Sequence, residues 1–196
     1  MRNRNHLRDG VRRAYSSAAG KPGHKHPFPV GRHFAQSVGY PPDLLARLPS
    51  VSVAAFSGVS NVSVFAEIPA GSRVLDLGCG AGLDCLVAAE RVGPQGKVIG
   101  IDFSEAMLTR AREAVALSGA AHVELRLADA ERLPIEDGTI DVALANGIFN
   151  LNPGRDAIFR ELARVLRTGG VCYAAELILR EPFPPDFSPS QEDWFA

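Results

Sequence analysis

The chain has 196 residues, of which 46% are hydrophobic and 22% are charged, a composition typical of a globular domain with one core. Its formal net charge of −1 excludes a strong overall attraction to nucleic acid or to an anionic membrane surface. No run approaches the ~20 apolar residues of a membrane span, and the polar start is unlike a secretory signal peptide. We therefore expect neither nucleic acid nor a membrane as a partner.

The cysteine content points to a reducing compartment. Cys79, Cys85 and Cys172 are an odd number of cysteines in a chain without an export signal, which does not favour a disulfide framework. We predict free thiols and a cytoplasmic location. The two histidines of the HKH segment, residues 24–26, have no cysteine or carboxylate cluster beside them, so a surface loop is predicted there and no metal site.

The first part of the chain, residues 1–70, predicts an extension lying over a sheet, without a domain of its own. It opens with MRNRNHLRDGVRR, whose five arginines and one aspartate are typical of a solvated amphipathic helix or a frayed terminus. A loop rich in proline, glycine and histidine follows over residues 20–33. The segment PPDLLARLP, residues 41–49, predicts a short helix.

From about residue 72, short β-branched runs alternate with segments of helical period. This alternation predicts right-handed βαβ units and a doubly wound, mostly parallel sheet of the α/β class. Ser104 and Gly119 are expected to begin and end the second helix of this part. The predicted strands cover residues 72–77, 97–102, 122–129, 140–146 and 171–179, and the predicted helices cover residues 83–93, 104–119 and 155–167.

The loop after the first strand, in VLDLGCGAGLD (residues 74–84), is the strongest ligand signal. Ligands of doubly wound sheets bind at the carboxyl ends of strands, where the strand order reverses. A dinucleotide site prefers G-x-G-x-x-G, whereas Gly78, Gly80 and Gly82 give G-x-G-x-G, with Leu83 in place of the third glycine. The carboxyl group of Asp76 suits an ammonium group better than a pyrophosphate. A ligand with a zwitterionic amino-acid end and an adenosine end, such as S-adenosylmethionine, is therefore favoured.

Three residues near the next strand ends match such a ligand. Asp102 ends the second strand, where a carboxylate can accept both ribose hydroxyls. Met107, one turn into the following helix, is predicted to pack on the adenine, and Asp129 is expected near the adenine amino group. Each has an alternative role, since the two aspartates could cap turns and Met107 could belong to the core.

Taken together, these segments resemble class I S-adenosylmethionine-dependent methyltransferases. The similarity lies in VLDLGCGAG, GIDFS, ADAERLP, DVALAN and RVLRTGG, over about residues 70–180. The segments GYPPDLLARLP, GLDCLVAAERVGPQGKVIGID and NLNP are similar to the arsenite methyltransferase family, which methylates trivalent arsenic. The resemblance implies a Rossmann-like core over residues 71–180, an extension over the cofactor site at residues 1–70, and a proline-rich tail at residues 181–196.

The resemblance also implies site residues. Tyr15 and Asn61 would help to bind the methionine end of the cofactor, and Asn146 would face the methyl group and the acceptor. S-adenosylhomocysteine would be the product. The full set of implied cofactor contacts is Tyr15, Asn61, Asp76, Gly78, Cys79, Gly80, Asp84, Asp102, Phe103, Met107, Asp129, Ala130 and Asn146.

The acceptor side departs from the family. Val59 and Gly147 stand where the family has two of its arsenic-binding cysteines, and only Cys85 is retained. The helix N-terminus is predicted to lower the pKa of Cys85 and make it an acceptor thiolate, and the alternative is a packed core residue. One thiolate cannot chelate arsenite alone. Either external thiols such as glutathione complete the set, or the acceptor is another small molecule.

The end of the chain departs from the family as well. After the fifth strand it offers REPFPPDFSPSQEDWFA in place of the family's antiparallel C-terminal hairpin. The fifth strand would be an apolar edge, which natural proteins usually cover. We expect a chain that is cut short, or a homodimer that pairs the two edges.

The sequence as a whole predicts methyl transfer from S-adenosylmethionine to a small soft or polar acceptor, with a thiol-bound arsenical as the family's example. No residue stands out as a general base. Two alternatives stay open, namely a methyltransferase for a non-arsenic acceptor and a catalytically incomplete cofactor-binding module. A nicotinamide-dependent oxidoreductase is disfavoured by the missing third glycine.

Overall fold

The computed structural model of the protein describes residues 2–178 together with residues 180, 181, 184 and 186. Five strands form one sheet in which every neighbouring pair is parallel. They are β1 (Arg73–Leu77), β2 (Lys97–Asp102), β3 (Val123–Leu127), β4 (Ile140–Asn146) and β5 (Leu166–Ala175). Their spatial order is β3-β2-β1-β4-β5. The strand order therefore reverses between β1 and β4, which confirms the predicted doubly wound α/β fold.

Eight helices occur within the described residues. They are α1 (Arg2–Gly20), α2 (Arg32–Ser37), α3 (Pro42–Arg47), α4 (Ser50–Ala54), α5 (Val62–Phe65), α6 (Leu83–Val92), α7 (Glu105–Ser118) and α8 (Arg155–Val165). The predicted caps of α7 are confirmed. The Ser104 hydroxyl accepts from the backbone N–H of Met107 at 3.3 Å, and Gly119 ends the helix in the left-handed conformation with φ 67°.

Alternating strand residues supply the two faces of the sheet. Leu75, Leu77, Ile99 and Ile101 pack on one face with Ile158 and Leu162 of α8. The opposite face, which includes Val74 and Val98, packs against α5, α6 and α7. The N-terminal helices α2, α3 and α4 pack in turn on the outer side of α6 and α7, while α1 packs against Met107 and Ala81. The N-terminal segment thus lies beside the carboxyl ends of the strands.

The fifth strand differs from its predicted bounds. It begins at Leu166, so α8 is two residues shorter than predicted. Ile140 pairs with Leu166 but Val142 pairs with Val171, which leaves the intervening residues of β5 in a bulge. Gly169 in this bulge has φ 79°, a conformation that glycine adopts at little cost. Gly169 and Gly170 follow the helix predicted over residues 155–167, where glycines typically end a helix, but in the structure both are part of β5.

Strand β5 lies at the end of the sheet and pairs with β4 along its inner edge. Its outer edge has no partner strand among the described residues. Most of the predicted proline-rich tail, residues 181–196, lies outside the described residues, as does residue 179 of the predicted fifth strand. The dimer through this edge stays a prediction.

The close packing between the sheet and α6 gives a first prediction, at Gly100. A Cβ at this position would lie 2.6 Å from Cys85 Sγ and 3.0 Å from Cys79 Sγ. We expect Gly100→Ala to lower the free energy of unfolding by about 1–3 kcal/mol, because buried atoms must shift. Urea denaturation measures the change. Gly23→Ala is the control, since nothing lies within 4 Å of the Cβ it would add. Equal stability of the two variants would contradict the packing described.

Candidate active site

A cavity opens where the strand order reverses, at the carboxyl ends of β1, β2 and β4. It contains about 1020 Å³ of empty space, a volume that includes open solvent. The structure brings most of the implied contact residues to its wall. These are Tyr15, Asp76, Gly78, Cys79, Gly80, Asp84, Asp102, Phe103, Asp129, Ala130 and Asn146. Asn61, Met107 and Cys85 are not among the residues that line it.

The glycine loop between β1 and α6 depends on left-handed backbone. Gly78, Gly80 and Gly82 have φ of 75°, 52° and 82°, values that side chains with a Cβ rarely adopt. The backbone N–H groups of Gly78 and Cys79 donate to the carbonyl of Ile101 at 2.8 and 2.9 Å. The loop is therefore held against the end of β2 with its backbone facing the cavity.

Asp102, at the end of β2, is a buried carboxyl group held by backbone donors. It accepts from the N–H of Gly80 at 2.9 Å and from the N–H of Ser104 at 2.8 Å. Desolvation raises the pKa of Asp102 to about 6, although the backbone hydrogen bonds oppose this shift. At neutral pH the group is ionised and fixed beside the glycine loop.

Asp76, near the end of β1, lies at the N-terminus of α6. It accepts from the thiol of Cys85 at 3.1 Å and from the backbone N–H of the same residue. Desolvation, followed by the charge of Asp84, raises the pKa of Asp76 well above its usual range. A thiol is a weak donor. This carboxyl group therefore has poorer hydrogen-bond partners than Asp102, and it faces the cavity.

The environment of Cys85 differs from the expectation. Cys85 is fully buried, and the hydrogen bond with Cys79, desolvation and the charge of Asp76 raise its pKa well above the usual value. The predicted lowering of this pKa is wrong, because the hydrogen bond with Cys79, burial and a neighbouring carboxylate outweigh the helix N-terminus. The Cys79 pKa is about 11: its hydrogen bond with Cys85 lowers it, but burial and the charges of Asp102 and Asp76 outweigh that effect. Both residues are protonated thiols at neutral pH.

Asn146 and Asp84, which both line the cavity, form a polar network. The Asn146 amide donates to Asp84 Oδ2 at 2.9 Å, and Asp84 Oδ1 accepts from the hydroxyl of Tyr40 at 2.5 Å and from that of Ser63. All these donors are uncharged, so the carboxylate is satisfied without an ion pair. The network joins β4 and α6 to the N-terminal segment.

Arg8 is a cavity residue that the sequence did not reveal. Its guanidinium donates to Asp129 Oδ2 and lies 3.3 Å from Glu131 Oε1, while Asp129 Oδ1 accepts from the backbone N–H of Glu131 at 3.0 Å. The sequence predicts a solvated amphipathic helix or a frayed terminus for the basic opening of the chain, and neither places Arg8 at a cavity. No local signal distinguishes Arg8 from the other arginines, because its partner is 121 positions away.

Three other predicted cofactor contacts, Tyr15, Met107 and Asn61, have partners within the protein. Tyr15 stacks on Phe28 with ring centroids 4.4 Å apart, and burial followed by the charges of Asp102 and Glu176 raises its pKa. Met107 is buried against α1 in the structure. Asn61 donates to the carbonyl of Gly39 at 2.9 Å. Contacts of these side chains with a cofactor stay predictions.

The two positions where the resemblance expects cysteines are neighbours. A Cβ on Gly147 would lie 3.0 Å from Val59 Cγ1. Gly147 has φ 77° and lines the cavity, as does Ile148, which follows it. Gly147 and Ile148 therefore contribute apolar surface to the wall, whereas Val59 is not among the residues that line it. No group of three or more His, Cys, Asp or Glu side chains arranged to hold a metal ion occurs in the described part of the chain.

The chain is similar in sequence to known methyltransferases. The chain is 43% identical over 129 residues to an arsenite methyltransferase of Halobacterium salinarum, covering 66% of this chain and 33% of that protein. It is 40% identical over 105 residues to a demethylmenaquinone methyltransferase of Shouchella clausii, covering 53% of this chain and 44% of that protein. The chain thus spans between a third and a half of the length of these relatives.

A solved structure is similar as well. The arsenic(III) S-adenosylmethionine methyltransferase of Chlamydomonas reinhardtii matches with a TM-score of 0.60 and 28% identity, over 76% of this chain and 50% of that one. Among the described residues, no helix has the length and apolar character needed to cross a membrane. The family model of a methyltransferase domain matches residues 68–195, and the chain belongs to this methyltransferase domain family.

Proposed function

We propose that the protein transfers a methyl group from S-adenosylmethionine to a small acceptor with an available lone pair. The observation that carries the proposal is the row of carboxyl groups at the strand ends, the buried Asp76 and Asp102 and the half-buried Asp129, around a glycine loop and one cavity. A row of this kind suits a ligand with an ammonium group, a ribose and an adenine, in that order. The family membership of the chain supports the same cofactor.

Each carboxyl group has a chemical role in binding this cofactor. Asp102 would accept the ribose hydroxyls, since it is ionised at neutral pH and lies at the end of β2. Asp76 would accept the ammonium group, whose positive charge relieves the cost of a buried carboxylate. S-adenosylmethionine, when bound, supplies a methyl group already activated by its sulfonium. The task of the protein residues is then to orient the reactants and to exclude water.

We call the part of the cavity wall formed by Asp84, Asn146 and Gly147 the acceptor wall. Its described residues offer no free general base. Asp84 already accepts from Tyr40, Ser63 and Asn146, and the nearby thiols of Cys79 and Cys85 have raised pKa values. A thiol-bound arsenical carries its own lone pair and needs no deprotonation. We therefore include such an arsenical, with thiols supplied by glutathione or a similar molecule, as the first acceptor to test. The cytoplasmic location expected from the free thiols belongs to the same proposal.

A second candidate is a non-arsenic acceptor, favoured by one observation. Val59 and Gly147 pack together where the resemblance expects two cysteines, and this replaces two soft ligands by an apolar surface. A relative named demethylmenaquinone methyltransferase matches the chain over a similar length. A larger and less charged acceptor would suit this wall.

The role of Asp102 can be tested by cofactor binding. We expect Asp102→Asn to weaken the binding of S-adenosylmethionine by roughly tenfold to a hundredfold, because hydrogen bonds to a charged group are lost. Isothermal titration calorimetry measures the change. Asp156→Asn, on an exposed residue of α8, is the control and should bind as the wild type does. Unchanged affinity in Asp102→Asn would remove this residue from the cofactor site.

The raised pKa of Asp102 gives a pH dependence. The carboxyl group is ionised above a pKa of about 6 and is protonated as the pH falls through that value. We therefore expect cofactor affinity to fall between pH 7.5 and pH 5, well above the usual titration range of an aspartate near 4. Asp76, whose pKa is also raised, acts in the same direction. Asp102→Asn should make the profile between pH 7 and pH 5 less steep, with the part due to Asp76 remaining, and a wild-type profile that is flat there would contradict the assignment.

The acceptor can be tested by release of S-adenosylhomocysteine with arsenite and glutathione, each added alone and together. Because Cys85 is buried with a raised pKa, we expect turnover to require glutathione and to survive in Cys85→Ser. Loss of turnover in this variant, with cofactor binding retained, would instead support the prediction that Cys85 is the acceptor thiolate. If the protein binds the cofactor but releases no S-adenosylhomocysteine in any of the three conditions, a non-arsenic acceptor or a binding module is favoured.

A further inference from the structure

The side-chain amide of Asn146 makes its hydrogen bonds to other groups of the protein. Its Oδ1 accepts from the backbone N–H of Val59 at 2.8 Å and from that of Ser60 at 3.1 Å. Its Nδ2 donates to the carbonyl of Ser60 at 2.7 Å and to Asp84 Oδ2 at 2.9 Å. Two N–H donors on one side and two acceptors on the other also fix which way the amide points.

We infer that Asn146 is a positioning residue, which clamps residues 58–60 to the end of β4 and so shapes the acceptor side of the cavity. The inference rests on the proposed function, since it assigns that side to the acceptor. The resemblance implies that Asn146 contacts the cofactor and faces the methyl group and the acceptor. An amide that already makes these bonds acts on the acceptor through the backbone segment that it holds.

The clamp leaves no free space around the amide. A Cβ on Gly58 would lie 2.5 Å from Asn146 Nδ2, 2.7 Å from Cγ and 2.9 Å from Oδ1. Real Cβ atoms essentially never approach so closely, so any side chain at position 58 must displace the Asn146 side chain. Gly58 is therefore required by the contact with Asn146, and its φ is not in the left-handed region.

The clamped segment forms part of the cavity wall. Ser57, Gly58 and Gly147 all line the cavity, and Gly58 lies against Asn146, the chain neighbour of Gly147. Val59 lies against Gly147. If the clamp opened, residues 57–60 would move relative to β4, and the acceptor side would widen. The carboxyl groups that we assign to the ribose and the ammonium group of the cofactor, Asp102 and Asp76, make no hydrogen bond to Asn146 among those found in the structure.

The first test measures amide hydrogen exchange by NMR in the absence of cofactor and acceptor. We expect Asn146→Ala to speed the exchange of the Val59 and Ser60 amides by roughly tenfold, because both lose their acceptor. Gly58→Ala, which keeps the Asn146 amide but displaces it, should speed the same two amides. Gly23→Ala should change neither, since its added Cβ meets open space.

The double variant separates a clamp from two independent defects. Removing the Asn146 amide removes the group that a Cβ on residue 58 would strike. Gly58→Ala should therefore add little to the exchange rates in an Asn146→Ala background, a non-additivity typical of residues in contact. Additive effects, or Val59 and Ser60 amides that exchange at wild-type rates in Asn146→Ala, would overturn the inference.

The functional readout uses arsenite with glutathione as the probe acceptor, and it tests the assignment of the clamp to the acceptor side. Asn146→Ala should lower kcat/KM for the acceptor by about tenfold or more while the Kd for S-adenosylmethionine stays within about twofold. Equal losses in both would contradict a positioning role on the acceptor side. If the wild type binds cofactor but gives no turnover, the proposed acceptor fails, whereas the clamp is still decided by the exchange rates of the two amides.

Discussion

Three buried carboxyl groups, Asp76, Asp84 and Asp102, constrain the whole carboxyl edge of the sheet. Charged groups out of water are costly unless they are hydrogen-bonded or paired. Asp84 is satisfied by two hydroxyls and an amide, and Asp102 by two backbone N–H groups. Among the described residues, Cys85 is the one donor to Asp76, through its thiol and its backbone N–H. Protein donors therefore satisfy Asp84 and Asp102 but leave Asp76 poorly hydrogen-bonded. Asp76 is the group that we assign to a cationic part of the ligand.

This arrangement sets stability against binding. A carboxyl group whose pKa is raised in the folded state binds its proton more tightly there than in the unfolded chain. As the pH rises from the usual aspartate value through the raised pKa, Asp76 and Asp102 therefore lower the free energy of unfolding. A bound ammonium group would reverse this effect at Asp76. The protein thus retains an unfavourable group where a ligand can compensate for it, as expected of a binding site.

The sequence predicted the strands, the glycine loop and the acidic strand ends because each depends on local pattern. Strand periodicity and left-handed glycines are local properties, and the topology rules of parallel sheets then bring Asp76 and Asp102 together. The bulge that starts β5 at Leu166 was missed, since RTGG is equally typical of a helix end. The Cys85 pKa was predicted in the wrong direction, because the contacts with Cys79 and Asp76 depend on tertiary packing.

Arg8 and the Asn146 clamp lie beyond local pattern for the same reason. Asn146 holds residues 86 and 87 positions away, so only the folded chain shows that its amide is already engaged. The N-terminal segment supplies half of this network, through Tyr40, Ser63 and the backbone of residues 59–60. It is therefore part of the site wall and cannot be treated as a simple cover over a finished cofactor domain.

The side chains at the acceptor wall depend on the backbone conformation of the turn after β4. Gly147 has φ 77°, so any side chain there would meet backbone strain as well as Val59. Cysteine at position 59 alone would give one thiol beside a glycine, while cysteine at position 147 would need the turn after β4 to change its conformation. The apolar contact between Val59 and Gly147 is thus tied to the backbone geometry. A soft acceptor at this wall would have to bring its thiols with it, whereas an apolar acceptor would find the surface already suited to it.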